Sequence, residues 1–304
     1  MNKILIRMVS HALGDTIASL PYIEKFGQVN PDSELYVSIN NNFINLFESV
    51  YPTLKFIKKD CDIVFDKILP LEYNFNTSVQ YGYAKQLGFI DGPYLRPKVT
   101  IPNMERPIKS KYITIGTHST SQLKYWNSPS GRKSQLESPN WNELCGMLRK
   151  KGYTPVVLEQ HETFGVVPYW NGMPSKANKK FGQSLLETMN YIQHSEFYIG
   201  LSSGISWVAH AMGKPVVMIS NFTEDWNEFD LSLSDYIRIT NKEVCHGCWN
   251  LINKDYTFNT DDWYWCPKHK NTDREFECHK VITPERVMNE LKKHPIFNQK
   301  LQTC

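Results

Sequence analysis

Four cysteines fall within one short stretch of this chain: Cys245 and Cys248 with two residues between them, then Cys266 and Cys278 further on. Four soft ligands at such spacing can enclose a tetrahedral metal ion, and a set made wholly of thiolates leaves no coordination position open for substrate. The expected role is therefore structural, and iron and zinc both accept the donor set. His246, His269 and His279 stand beside the cysteines as substitute ligands. A redox Cys-x-x-C is the competing reading, and the two additional cysteines weigh against it. Cys61, Cys145 and Cys304 are scattered and read as incidental.

Other residues could act on a substrate. In the turn Ser10 to Asp15, Gly14 precedes a carboxylate placed between a strand and a helix, where Asp15 can take a proton from an acceptor hydroxyl. The plainer alternative is a helix N-cap. Ser202-Ser203-Gly204-Ile205 also lies between a strand and a helix. Backbone N–H groups left without partners at a helix start, with glycine permitting close approach, can hold a diphosphate. Neither GxGxxG nor P-loop spacing is present, and a simple cap is again the alternative. Lys124, followed by Tyr125 and Trp126, can neutralise a leaving phosphate or stay in solvent. The carboxylates of Glu159 and Glu162 can hydrogen-bond a ribose or merely solvate a loop.

The elements that must position these groups alternate along the chain. Strand-like Lys3 to Val9 leads to a helix through Ile17, Leu20 and Ile23. Leu35 to Ile39 is strand-like, Phe43 to Val50 helical, and Leu54 to Ile57 and Ile63 to Lys67 extended. Ser78 to Leu87 is a helix. Four prolines between Pro93 and Pro107 read as an exposed connection. The alternation then restarts with strands at Tyr112 to Gly116, Thr154 to Glu159, Phe197 to Gly200 and Pro215 to Ser220. Helices are expected at Trp141 to Lys151, Ser184 to His194 and Ile205 to Met212. This is β-α-β order, which makes parallel sheets whose ligands bind at the carboxyl ends of the strands. The expected units are residues 1–107 and 108–304, the second including a cysteine-rich segment 241–280 and a final helix 283–294.

At 304 residues the chain is long enough for two such units. Its 34 basic and 31 acidic residues nearly cancel, which argues against a dedicated polyanion binder while allowing a local phosphate site. Eight tryptophans and 16 tyrosines serve either a core or interface or a stacking platform for sugars. The longest apolar runs fall far short of the ~20 residues that span a bilayer, and the start lacks a signal-peptide core. The chain reads as soluble and cytoplasmic.

Taken in order, several segments resemble glycosyltransferase family 9, the ADP-heptose transferases. They are Gly14-Asp15 followed by Leu20-Pro21, Lys124-Tyr125-Trp126, Ser184-Leu185-Leu186-Glu187, and Ile199 to Gly204 leading to Met212-Gly213-Lys214-Pro215-Val216-Val217. Cys245-His246-Gly247-Cys248-Trp249 with Cys266 and Cys278 narrows the likeness to the bacterial autotransporter heptosyltransferases, which carry a four-cysteine iron site. The resemblance implies a GT-B fold of two Rossmann-like domains facing a cleft, with inversion at the anomeric carbon and no catalytic metal. It makes Asp15 the general base and Lys124 the ligand of the donor's phosphates and sugar. It also makes Ser202 to Ile205 the phosphate-binding turn beside Gly14, and places Ser119 and Thr120 near its hydroxyl ligands.

The implied donor is ADP-heptose, and the implied acceptor a hydroxyl of a protein or glycan, with a homo-oligomer among the expectations. Where lipopolysaccharide heptosyltransferases carry Asp-Thr-Gly and a following His, this sequence has Ser202, Ser203, Gly204 and Trp207. The N-terminal β-barrel region of the autotransporter enzymes has no counterpart before the strand that starts at residue 3. Two other readings stay open: a transferase of the same fold with another nucleotide sugar and a glycan, small-molecule or nucleobase acceptor, and a non-catalytic nucleotide-sugar binding protein.

Overall fold

The computed structural model describes residues 2–58, 61–90, 94–119, 126, 139–160, 173–259, 261–262 and 265–302. Its first half holds β1 (Asn2–Met8), α1 (Leu13–Val29), β2 (Ser33–Ser38), α2 (Ile44–Phe47), β3 (Lys55–Ile57), β4 (Lys67–Leu71) and α3 (Val79–Gln86). All four strands are parallel, in the order β3-β2-β1-β4. Ile4 pairs with Leu35 on one side and Lys67 on the other. Consecutive burial of Ile4, Leu5 and Ile6 marks a strand covered on both faces, as crossover helices require.

The second half holds β5 (Tyr112–Gly116), α4 (Pro139–Lys150), β6 (Thr154–Glu159), β7 (Asn178–Phe181), α5 (Leu185–His194), β8 (Tyr198–Gly200), α6 (Gly204–Ala211), β9 (Val216–Ile219) and β10 (Tyr236–Ile239). Three helices follow: α7 (Glu277–Lys280), α8 (Pro284–Lys293) and α9 (Pro295–Gln302). This sheet is also wholly parallel, in the order β10-β9-β8-β5-β6-β7. The chain therefore reverses its winding between β5 and β8, and in the first sheet between β1 and β4. In open parallel sheets a crevice forms outside the carboxyl ends of the strands at such a reversal.

Local sequence explains the helix starts. Ser184 caps α5 in a full capping box with Glu187, and Thr283 caps α8 with Pro284 in its first turn. The structure differs from the sequence expectation at short edge elements. β4 lies at Lys67–Leu71, just beyond the extended run at Ile63 to Lys67, and contains Pro70, which an edge strand tolerates. β7 and β10 are four-residue edge strands, and α9 continues past the expected last helix.

The proline-bearing connection is not a solvated linker. Val99 donates its N–H to Ala211 O at 3.2 Å, and Leu95 O accepts from Gln80 Nε2 at 2.8 Å. Arg96 reaches Asp235 at 2.6 Å and Tyr94 bonds to His210, so the segment straps the two halves together. One apolar core spans both halves, joining Ile17, Leu20 and Ile23 of α1 to Trp207, Val208 and Ala211 of α6. A second core lies behind the larger sheet, where Trp126 meets Trp141 edge-on at 4.8 Å and donates Nε1–H to Ile282 O at 2.6 Å. Among the described residues no helix is long and apolar enough to cross a membrane.

Candidate active site

The N-termini of α1 and α6 meet in the gap between the sheets. Two glycines allow it. A Cβ on Gly14 would lie 2.9 Å from Trp207 Cδ1, and one on Gly204 would lie 3.3 Å from Leu13 Cβ and 3.4 Å from Gly14 N. Both helices thus direct N–H groups and positive dipole ends toward one place, which suits an anion. Two cavities flank this contact and share Ala12, Gly14, Ser203 and Gly204 as a common wall.

The first cavity, about 300 Å³, lies at the winding reversal of the first sheet. Asp15 is set among Tyr73, Phe75, Trp207 and Trp249 there. Asp15 is not the helix cap: Ala12 holds that position without a side-chain bond, and Asp15 sits in the first turn. Ser10 Oγ donates to Asp15 Oδ2, and Ala12 N–H donates to Ser10 Oγ at 3.2 Å. A half-buried carboxylate oriented by a hydroxyl, in a cavity with aromatic walls, is equipped to accept a proton from an alcohol. Burial, and then the nearby Asp15 charge, raise the pKa of Tyr73 and Tyr83, so these phenols stay protonated.

The second cavity, about 380 Å³, lies at the reversal of the second sheet. Glu159, at the end of β6, accepts from Thr117 N–H at 2.5 Å and His118 N–H at 2.8 Å, and its carboxylate lies 3.8 Å from His118 Nδ1. Burial pushes the Glu159 carboxyl up to about 7, against the lowering effect of those N–H donors. Ser119, Ser203, Gly204 and Ile205 line the same cavity. Ser203 precedes α6 with no side-chain cap bond, and its hydroxyl lies 3.3 Å from Ser206 Oγ. Ser202 faces the other way. It lines the first cavity and donates to Glu228, a carboxylate buried against Arg238. Thr120 and Lys124 lie outside the described residues.

The cysteine-rich segment reaches this site. Cys245, Cys248, Cys266 and Cys278 are free thiols that act on one another electrostatically, and Cys248 hydrogen-bonds Cys245. That bond draws the Cys245 thiol down to about 6, whereas burial raises Cys266 and Cys278. Gly247, in the left-handed region at φ 69°, turns the chain between Cys245 and Cys248, and any side chain there would collide with Glu224. Among the described residues the ligand atoms close enough to hold a metal are those of Cys245, His269 and Glu277, all within 4.8 Å of one another, rather than the four thiols expected from the sequence; His246 is turned to Glu224 at 3.7 Å.

Phe222, Trp265 and Phe276 form a small apolar core around Cys266. Trp249, next to Cys248, donates Nε1–H to Tyr73 Oη at 2.8 Å, and Asn250 Nδ2 donates to Phe75 O at 2.7 Å. Both bonds cross to the first half of the chain, so Trp249 is a wall of the Asp15 cavity. Its position directly after Cys-x-x-C was the available sequence signal. Glu228 and Arg238 carried none, since either reads as an ordinary surface charge.

Two parallel α/β sheets with a cleft at their strand ends place the protein among GT-B-like glycosyltransferases. No protein-family model matches the chain. Autotransporter heptosyltransferase Aah of Escherichia coli is 33% identical over 297 residues, which cover 93% of this chain and 72% of that protein. The crystal structure of TibC from enterotoxigenic E. coli H10407, described as an iron-containing dodecameric glycosyltransferase, superposes with a TM-score of 0.85 at 29% identity, covering 98% of this chain and 77% of that one. TibC has also been crystallised with ADP-D-beta-D-heptose. E. coli heptosyltransferase II of lipopolysaccharide synthesis shares the fold, with a TM-score of 0.63 at 14% identity, covering 99% of both chains. The chain belongs to the autotransporter heptosyltransferase family.

Proposed function

We propose that the protein transfers heptose from ADP-heptose to an acceptor hydroxyl, with inversion at the anomeric carbon. The observation that carries this reading is the apposition of the Asp15 cavity and the Glu159 cavity across the Gly14–Gly204 contact. In this reading the acceptor oxygen attacks the anomeric carbon, its proton passes to Asp15, and the bond from that carbon to the diphosphate breaks to release ADP. Negative charge grows on the departing diphosphate. The start of α6 at Ser203, Gly204 and Ile205 stabilises it together with Lys124, and Ser119 and Thr120 supply hydroxyl donors. Glu159 accepts from the ribose. The chain divides near residue 107 into an acceptor-side and a nucleotide-side unit. The relatives' names point to an autotransporter as acceptor, which offers serine and threonine hydroxyls.

The cysteine-rich segment fits an iron or zinc ion. Its four cysteines are free thiols that act on one another electrostatically, and the left-handed turn at Gly247 lies between Cys245 and Cys248. Cys245, Cys248, Cys266 and Cys278 would hold the ion, which when bound supplies a cross-link rather than a reaction step. Free thiols of this kind accord with a reducing cytoplasm. Assembly into a homo-oligomer follows the description of TibC.

The direct test is mass spectrometry of the protein with ADP-heptose, other sugar nucleotides and candidate acceptors. A gain of one heptose per acceptor hydroxyl is expected. Tight donor binding without transfer or donor loss would make the chain a binding protein instead. For the metal, Cys248→Ser should lower bound iron or zinc and the Tm together; a purified parent protein holding neither metal overturns the assignment.

A further inference from the structure

Tyr198 opens β8 and is fully buried. Its ring lies over the paired glycines that end β5 and β8, Gly116 and Gly200, and a Cβ at either would collide with the phenol. The winding reversal of the second sheet therefore holds a notch of two glycines, filled by one tyrosine. The side chain lines the cavity that also contains Glu159, Ser203 and Gly204. Its hydroxyl is buried yet completes no hydrogen bond among the described residues. The Ser203 and Ser206 hydroxyls lie near enough to lower its pKa, but neither meets it in hydrogen-bond geometry, and the Ser206 proton is directed to Leu201 O.

A buried hydroxyl without a partner destabilises the fold, and a chain that keeps one at a ligand cavity leaves a donor for the ligand. Phenylalanine would fill the notch equally well without that cost. From this geometry we infer that Tyr198 is a donor-positioning residue whose hydroxyl hydrogen-bonds a phosphoryl oxygen of the bound nucleoside diphosphate. Tyr198 lines one cavity with the start of α6, where the diphosphate is proposed to sit, and with Glu159, where the ribose is proposed to sit. Burial and the neighbouring Glu159 charge raise its pKa, so it stays a neutral donor across the working pH range. A neutral phenol beside a carboxylate selects a phosphoryl oxygen without adding a charge that would hold the product ADP.

The inference rests on the donor-site reading above, and calorimetry separates the two. Tyr198→Phe should bind ADP about tenfold more weakly than the parent protein. Adenosine, which lacks phosphates, should bind both proteins equally, and the Tm should hold or rise. A merely structural tyrosine would lower the Tm or weaken both ligands together. Equal ADP affinity in a folded Tyr198→Phe protein overturns the Tyr198 assignment and leaves the donor site standing. A parent protein that binds neither ADP nor adenosine overturns both.

Discussion

The cavity of Asp15 and the cavity of Glu159 share a wall of four residues and are built in opposite ways. The Glu159 side is made by the second sheet itself, from the ends of β5 and β6, Tyr198 of β8 and the start of α6. Its polar groups are backbone N–H donors and short side chains fixed by strand register. The Asp15 side is assembled from separate segments: the turn after β1, the loop bearing Tyr73 and Phe75, the stretch with Asn227 and Glu228, and Trp249 from the cysteine-rich segment. On the proposed assignment the donor side thus comes with the fold, whereas the acceptor side depends on loops brought in from elsewhere. Loop changes can alter the acceptor without disturbing the donor.

The largest effect should separate chemistry from binding. Asp15→Asn keeps the side-chain shape and the Ser10 contact but loses a carboxylate able to take a proton. Transfer should fall by about a thousandfold while ADP affinity, measured by calorimetry, stays within a few-fold. Wild-type turnover in that variant would return the aspartate to a structural role. A parallel collapse of ADP binding would show that the two cavities are not separable.

A smaller effect should come from the loop-built wall. Trp249→Ala removes an indole that faces Asp15 and bonds Tyr73 across the halves. The KM for acceptor should rise about tenfold, in keeping with the 1–3 kcal/mol that a stacked or packed aromatic supplies at a binding site. The donor KM should be unchanged. Steady-state kinetics with each substrate varied in turn would decide it. A donor KM that rises equally would mean that Trp249 supports the whole cleft rather than one side.

How far the sequence foretells this arrangement follows the same division. Long periodic elements such as α1, β5 and β6 are legible because their apolar positions repeat, and the glycine turns at Gly14 and Gly204 are legible because a strand and a helix flank them. The edge strands β7 and β10 are not, since four residues with mixed burial carry almost no periodicity. Tyr198 was hidden inside the apolar run Phe197 to Gly200, where a tyrosine reads as core. Asp15 was legible as a candidate, but the absence of a cap bond and the hydroxyl on its carboxylate emerge only in three dimensions. The contact of Trp249 with Tyr73 joins residues 176 positions apart, a pairing that no local pattern encodes.

The smallest effect on ligand affinity concerns protonation on the fold-built side. The Glu159 carboxyl titrates at about 7 in the folded protein against an ordinary value of 4.5. Between those values the unfolded chain has lost the proton and the native protein keeps it. Stability must therefore fall as pH rises through that window, by up to about 3 kcal/mol, and level off above pH 7. Glu159→Gln cannot ionise in either state, so its stability should be flatter from pH 5 to 7.5 in urea unfolding. The ligand should show the reverse slope. An ionised Glu159 accepts more strongly from a ribose hydroxyl, so adenosine affinity should rise a few-fold between pH 6 and 8 in the parent protein and stay level in Glu159→Gln. ADP is the poorer probe, because its own phosphate titrates in that range. Parallel adenosine curves for the two proteins would remove Glu159 from ribose binding, while a stability difference that persists would keep it as a buried acid of the second sheet.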